Sequence, residues 1–192
     1  MIMKVFALTA GALLAVAAAA PALAGPLDGA SVHSQYLFPS LADQYEEYGN
    51  TTVTGLTQLT DHLGGVPGIR LLASGSNLTA SFNDEAYGDE YWSFGDFNGF
   101  VVFDDTNTAG AITSVTINAA TNMAGFDASR ISFDADHIFV NWQGLWFNSG
   151  TVVSLDLNGG AVPEPASWAL MLGGFGAIGG AMRSRKRTVR FA

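Results

Sequence analysis

Between residues 25 and 161, apolar and polar side chains alternate in short runs instead of recurring at helical spacing. Ile112-Thr113-Ser114-Val115-Thr116-Ile117, Arg130-Ile131-Ser132-Phe133-Asp134 and Thr151-Val152-Val153-Ser154-Leu155-Asp156-Leu157 are β-branched stretches of this kind, the signature of half-buried strands. Val32 to Phe38, Thr51 to Leu56, Ile69 to Ala73, Asn77 to Phe82, Tyr91 to Phe94, Phe97 to Phe103 and His137 to Trp142 continue the pattern. Gly, Asn, Asp and Ser stand between these runs, where turns need positive φ or local side-chain hydrogen bonds. Such a series of short strands, with no long helical period, predicts an all-β body: an antiparallel β-sandwich of jelly-roll-like type. Ser40 to Tyr48, after Pro39, breaks the pattern and is expected to be a loop or a single helical turn.

Both ends of the chain depart from it. Lys4, an uncharged alanine-rich stretch from Val5 to Ala20, and Ala22-Leu23-Ala24 form the three parts of a secretory signal peptide. Signal peptidase is expected to cut after Ala24. At the other end Pro163 and Pro165 block helix propagation, and no charge follows Ala166 until Arg183. That apolar stretch is about 25 Å long as a helix, against a hydrocarbon core of about 30 Å, and five glycines weaken it further. It is expected to be a marginal transmembrane helix, stopped by Arg183, Arg185, Lys186 and Arg187 with the body outside the membrane. The chain therefore divides into a signal peptide (1–24), an exported β-domain (25–161) and a C-terminal segment (162–192).

Val162-Pro163-Glu164-Pro165-Ala166-Ser167-Trp168-Ala169-Leu170-Met171, the glycine-rich apolar stretch and the terminal basic run together resemble the PEP-CTERM sorting signal, in the subtype with Trp-Ala after the Pro-Glu-Pro motif. The resemblance rests on Pro163, Glu164, Pro165, Trp168 and Ala169 and on their order relative to the basic cluster. It implies an exosortase, a membrane-embedded cysteine transpeptidase, as the partner that recognises and cleaves the tail. It also implies transient residence in the inner membrane and delivery to the cell surface or an exopolysaccharide matrix, with a link to biofilm. Thr188 to Ala192 extend past the basic run farther than that pattern leads one to expect.

Setting the ends aside changes the charge. In the body sixteen acidic residues oppose two basic ones, Arg70 and Arg130, a formal charge of −14. A surface that repels phosphates excludes nucleic acid as a partner. The chain has no cysteine, which removes disulfides, thiol nucleophiles and thiolate metal sites, so packing alone must hold the fold in an oxidising compartment.

The candidate chemistry is sparse. Asp134 and Asp136, Asp104 and Asp105, and Asp84, Glu85, Asp89 and Glu90 carry oxygen ligands suited to a structural Ca²⁺, but none has the EF-hand spacing, and turn-forming acids explain them as well. His33, His62 and His137 are too scattered for a transition-metal motif. No nucleophile elbow occurs, and an acid-rich chain always offers some carboxylate pair, so no catalytic residue is assigned and a non-enzymatic protein is expected. Trp92, Trp142 and Trp146, beside Asn, Gln and Asp, have the composition of a glycan-binding platform. They equally have the composition of a sandwich core.

Overall fold

The computed structural model describes residues 25–66, 68–82, 89–159 and 165–183. Among them the chain forms β1 (Ser31–Leu37), β2 (Gln44–Thr52), β3 (Thr57–Thr60), β4 (Ile69–Ser74), β5 (Asn77–Phe82), β6 (Glu90–Tyr91), β7 (Gly99–Phe103), β8 (Ile112–Ile117), β9 (Ile131–Phe133), β10 (His137–Asn141), β11 (Trp146–Phe147), β12 (Val152–Gly159) and a helix α1 (Pro165–Arg183). One five-stranded sheet runs β2-β1-β7-β10-β9 and a second runs β3-β4-β5-β12-β8, with β11 and β6 paired as a separate ribbon. All pairings are antiparallel.

The inner faces of the two large sheets share one core, as a sandwich requires. Val32 and Tyr36 of β1, Phe100 and Val102 of β7, and Ile138 and Val140 of β10 meet Leu71, Leu78, Ala80, Val153, Leu155 and Leu157 from the second sheet. The two-residue spacing within each strand is the alternation of the sequence turned into burial. Gly99 pairs with Asn141 where β7 passes β10, and a Cβ there would run into the Val140 carbonyl, so only glycine permits this approach.

Three strand expectations need correction: Thr51 to Leu56 is strand only at Thr51 and Thr52, Tyr91 to Phe94 only at Tyr91, and the third concerns the segment after Pro39. Ser40 to Tyr48 is neither a loop throughout nor a helical turn, because β2 begins at Gln44 and pairs with β1 in a register broken by two irregularities. β2 is an edge strand with most side chains wet or half-wet, so nothing selects an apolar stripe, and its backbone pairing leaves no mark in hydropathy. The C-terminal helix forms, but it has 19 residues, about 28 Å at the usual rise, and no described helix is long and apolar enough to cross a membrane. The glycines noted above explain the low apolarity of a segment that is otherwise uncharged up to Arg183.

Candidate functional site

A cluster of aromatic rings closes one end of the sandwich, in two layers. Trp142 follows β10 and enters the core with no exposed surface. Its indole Nε1 donates to the Tyr36 hydroxyl at 2.7 Å, that hydroxyl donates to Asn98 Oδ1 at 2.6 Å, and Asn98 Nδ2 donates to the Ser93 carbonyl at 2.8 Å. Each of the side-chain polar atoms along this Trp142–Tyr36–Asn98 relay thus has a partner, as low-dielectric surroundings demand. Burial pushes the Tyr36 phenol well above its ordinary pKa, although the Trp142 N–H acts in the opposite direction. Trp92 stacks on Trp142 with ring centroids 5.1 Å apart and on Phe147 at 4.8 Å.

The chain then reverses. Leu145 N–H donates to the Trp142 carbonyl at 3.0 Å, closing a turn with Gly144 at φ +68°. Glycine suits this position because the left-handed region costs other residues about 1–2 kcal/mol. A Cβ on Gly144 would also press on the Phe94 ring. Beyond the turn, β11 pairs with β6, Trp146 opposite Tyr91 and Phe147 opposite Glu90. Period two then puts Phe147 inside and Trp146 outside. Trp146 is 58% exposed, and its ring lies 5.4 Å from that of Tyr91, which in turn lies 6.4 Å from Phe94.

Between this ribbon and β1 opens a cleft of about 330 Å³, with Phe38, Tyr45, Tyr91 and Trp92 among its walls and Glu90, Ser93 and Asn98 among its polar groups. Tyr45 stands nearly perpendicular to both Tyr36 and Phe38, at 70° and 81°. Trp92 is 7% exposed, and its Nε1 is buried without a hydrogen-bond partner among the described residues. An unmet buried donor costs about 1–3 kcal/mol.

This geometry sorts the predicted platform. Trp142 is a core residue with no exposed surface, and Trp92, its ring stacked on other aromatics, is almost wholly buried but still lines the cleft. Trp146 is exposed. Tyr91, which the sequence places next to Trp92 beside the acidic loop, is exposed as well, and so are Tyr45 and Phe94, which the sequence pattern does not mark as contacts. The Gly144 turn was the available signal, since it reverses the chain between the two neighbouring tryptophans.

The carboxylates mostly serve their own loops. Asp104 is buried and accepts from the amides of Thr106, Thr108 and Ala109 and from the Thr106 hydroxyl. Burial alone would raise its pKa, but these donors, Ala109 foremost, bring it below the usual range. Asp134 accepts from the amides of Asp136 and His137, and Asp127 from the amide and hydroxyl of Ser129; both carboxyls are lowered, Asp134 chiefly by the Asp136 amide and Asp127 chiefly by the Ser129 hydroxyl. Asp89 accepts from Asn148 Nδ2 at 3.1 Å. Among the described residues no three His, Asp or Glu side chains are grouped to hold a metal ion. Asp84 and Glu85 lie outside them.

His33 and His137 share the outer face of the first sheet, stacked on either side of Phe103 at 4.8 and 5.4 Å. Glu47 approaches His33 to 2.8 Å, and Asp134 approaches His137 to 3.0 Å. His62 lies apart from them, beside Asp61 and Glu46.

Of the terminal signals, Ala22 and Ala24, Pro163 and Glu164, and Arg185, Lys186 and Arg187 lie outside the described residues. Pro165 opens α1, Trp168 and Ala169 fall within it, and Arg183 closes it. Every residue from Met171 to Gly180 is exposed, including Met171, Leu172, Phe175 and Ile178. Gly25, which follows the expected signal cleavage bond, is already tied into the fold: its amide donates to Asp28 at 2.7 Å, and Leu27 N–H donates to the Gly75 carbonyl at 2.9 Å.

Residues 161–186 match the PEP-CTERM protein-sorting motif. Neither a curated protein nor a solved structure matches the chain. The motif supports exosortase-dependent sorting of an exported protein, by way of the membrane to the cell surface.

Proposed function

We propose that this chain is a non-enzymatic component of the cell envelope or extracellular matrix, associated with exopolysaccharide and biofilm. Its N-terminal signal starts export and is removed by signal peptidase. Its tail then holds it briefly at the inner membrane until an exosortase cuts and transfers it. The observation that carries this reading is the motif at 161–186, which joins a folded β-body to an apolar helix whose middle is exposed on all sides. Exposed apolar side chains on such a helix call for a membrane or a binding groove to cover them. Its shortness and glycine content favour temporary retention over permanent anchorage.

The test is the intact mass and terminal sequence of the mature protein, from cells with and without the exosortase. The expected product begins at Gly25 and has lost the basic end of its tail. In the deletion strain a heavier, membrane-held form should accumulate. Identical mass and location in both strains would overturn the sorting reading, and export with Met1 retained would overturn the signal-peptide reading. Matrix association is checked separately, by whether the processed protein co-sediments with isolated exopolysaccharide.

A further inference from the structure

The sorting route leaves open what the delivered body holds, and the aromatic cleft bears on that. We propose that the cleft between β1 and the β6–β11 ribbon binds a short segment of neutral hexose polysaccharide. In this arrangement Tyr45 and Tyr91 stack on sugar rings, Glu90 and Ser93 bond hydroxyl groups, and a sugar oxygen meets the Trp92 N–H.

Size is the first argument. At about 330 Å³ the cleft falls at the lower end of the roughly 300–1,000 Å³ usual for small-molecule sites, so it suits one or two sugar rings and not a large cofactor. Chemistry is the second. A pyranose presents C–H groups on its faces and hydroxyls around its edge, so its receptor needs flat apolar walls and polar groups at their margins. Tyr45 supplies such a wall, held upright by edge contacts with Phe38 and Tyr36. Tyr91 supplies another, with Glu90 next to it in the chain and also lining the cleft.

The unmet donor is the third argument. Trp92 lines the cleft, and its Nε1 is buried without a partner. On the core side its ring meets Trp142, Phe147 and Phe82, none of which offers an oxygen acceptor. The nearby Tyr36 hydroxyl already serves Trp142 and Asn98. A sugar oxygen seated in the cleft would supply the acceptor that the described residues do not. Charge is the fourth argument. Among the described residues Glu90 is the charged group in the lining, within a body of formal charge −14, so uronate or sulfated sugars are repelled and neutral ones are not.

The full chain, titrated calorimetrically and by tryptophan fluorescence with cellotetraose, mannotetraose, N-acetylchitotetraose and tetragalacturonate, tests this. At least one neutral tetrasaccharide should bind saturably and shift the emission, with tetragalacturonate at least tenfold weaker. Tyr45→Ala and Tyr91→Ala, at exposed positions, should each weaken binding at least tenfold. Trp92→Phe should weaken it several-fold, and Phe133→Ala on β9 should leave it unchanged. Absence of binding to all three neutral sugars, affinity indifferent to both tyrosine substitutions, or preference for tetragalacturonate would each overturn the proposal. None of these results bears on tail processing, which the mass measurement reads independently.

Discussion

Trp142 and Trp146 stand four positions apart in one short segment, yet one has no surface in water and the other is more than half exposed. The inner residue continues the core-facing rank of Ile138 and Val140. The outer one sits on the two-stranded ribbon, on the face opposite to buried Phe147. The same residue type therefore does two jobs. Inside, aromatic area removed from water holds the sheets together. Outside, the Trp146 ring meets water and the neighbouring Tyr91 ring. The contrast shows that in this fold aromatic composition does not mark a binding surface. The reversal at Gly144 is what separates the buried ring from the exposed one.

Trp142→Ala should break the inner layer most severely. Loss of its ring and of the hydrogen bond to Tyr36 is expected to cost about 3–5 kcal/mol, read as a lower urea midpoint at unchanged slope. Tyr36→Phe keeps the ring but leaves Trp142 Nε1 and Asn98 without the hydroxyl between them, at about 1–3 kcal/mol in the same measurement. Gly144→Ala should cost about 1–2 kcal/mol from backbone strain alone, with displacement of Phe94 visible in its ring resonances. At the small end, Trp146→Ala should alter stability by no more than about 0.5 kcal/mol, because its ring is mostly in water already. A loss of several kcal/mol there would erase the distinction between the layers.

Alkali sharpens the same contrast without mutation. Burial raises the Tyr36 phenol well above its ordinary value. Tyr48 is also raised, chiefly by burial and further by its bond to Glu46, although the Gly64 amide acts against this. The folded chain keeps protons that the unfolded chain releases above about pH 10, so this contribution to stability is intact below that pH and declines as pH rises past it. Absorbance at the phenolate band during alkaline titration should show these two phenols ionising together with loss of near-UV dichroism. Ionisation of both while that dichroism persists would contradict the assigned burial.

Strand positions were legible because alternation is a local property. Asn77–Phe82 and Ile112–Ile117 match their predicted limits, and β1, β4, β7, β9, β10 and β12 begin and end within two residues of theirs. β2 was not legible, since an edge strand is specified by backbone pairing that any polar sequence can make. β3 and the two-residue β11 are too short for a period to register, and β6 shares only Tyr91 with the run expected from Tyr91 to Phe94. For the candidate site, Trp146 could be named in advance, whereas Tyr45, Tyr91 and Phe94 come together only through pairing and loop placement.

The linear chain by itself determined the all-β character of the body, its acidity and the tripartite tail. Each depends on residue type and order over a few tens of positions, and the tail is read by a partner as a linear signal. Tertiary structure alone decided which aromatics are wet and where the cleft opens. It also decided that Trp92 ends with a buried N–H and no acceptor among the described residues. Those outcomes depend on what β1, β6 and β11 bring from distant parts of the chain, because burial is a relation between segments and no single segment contains it.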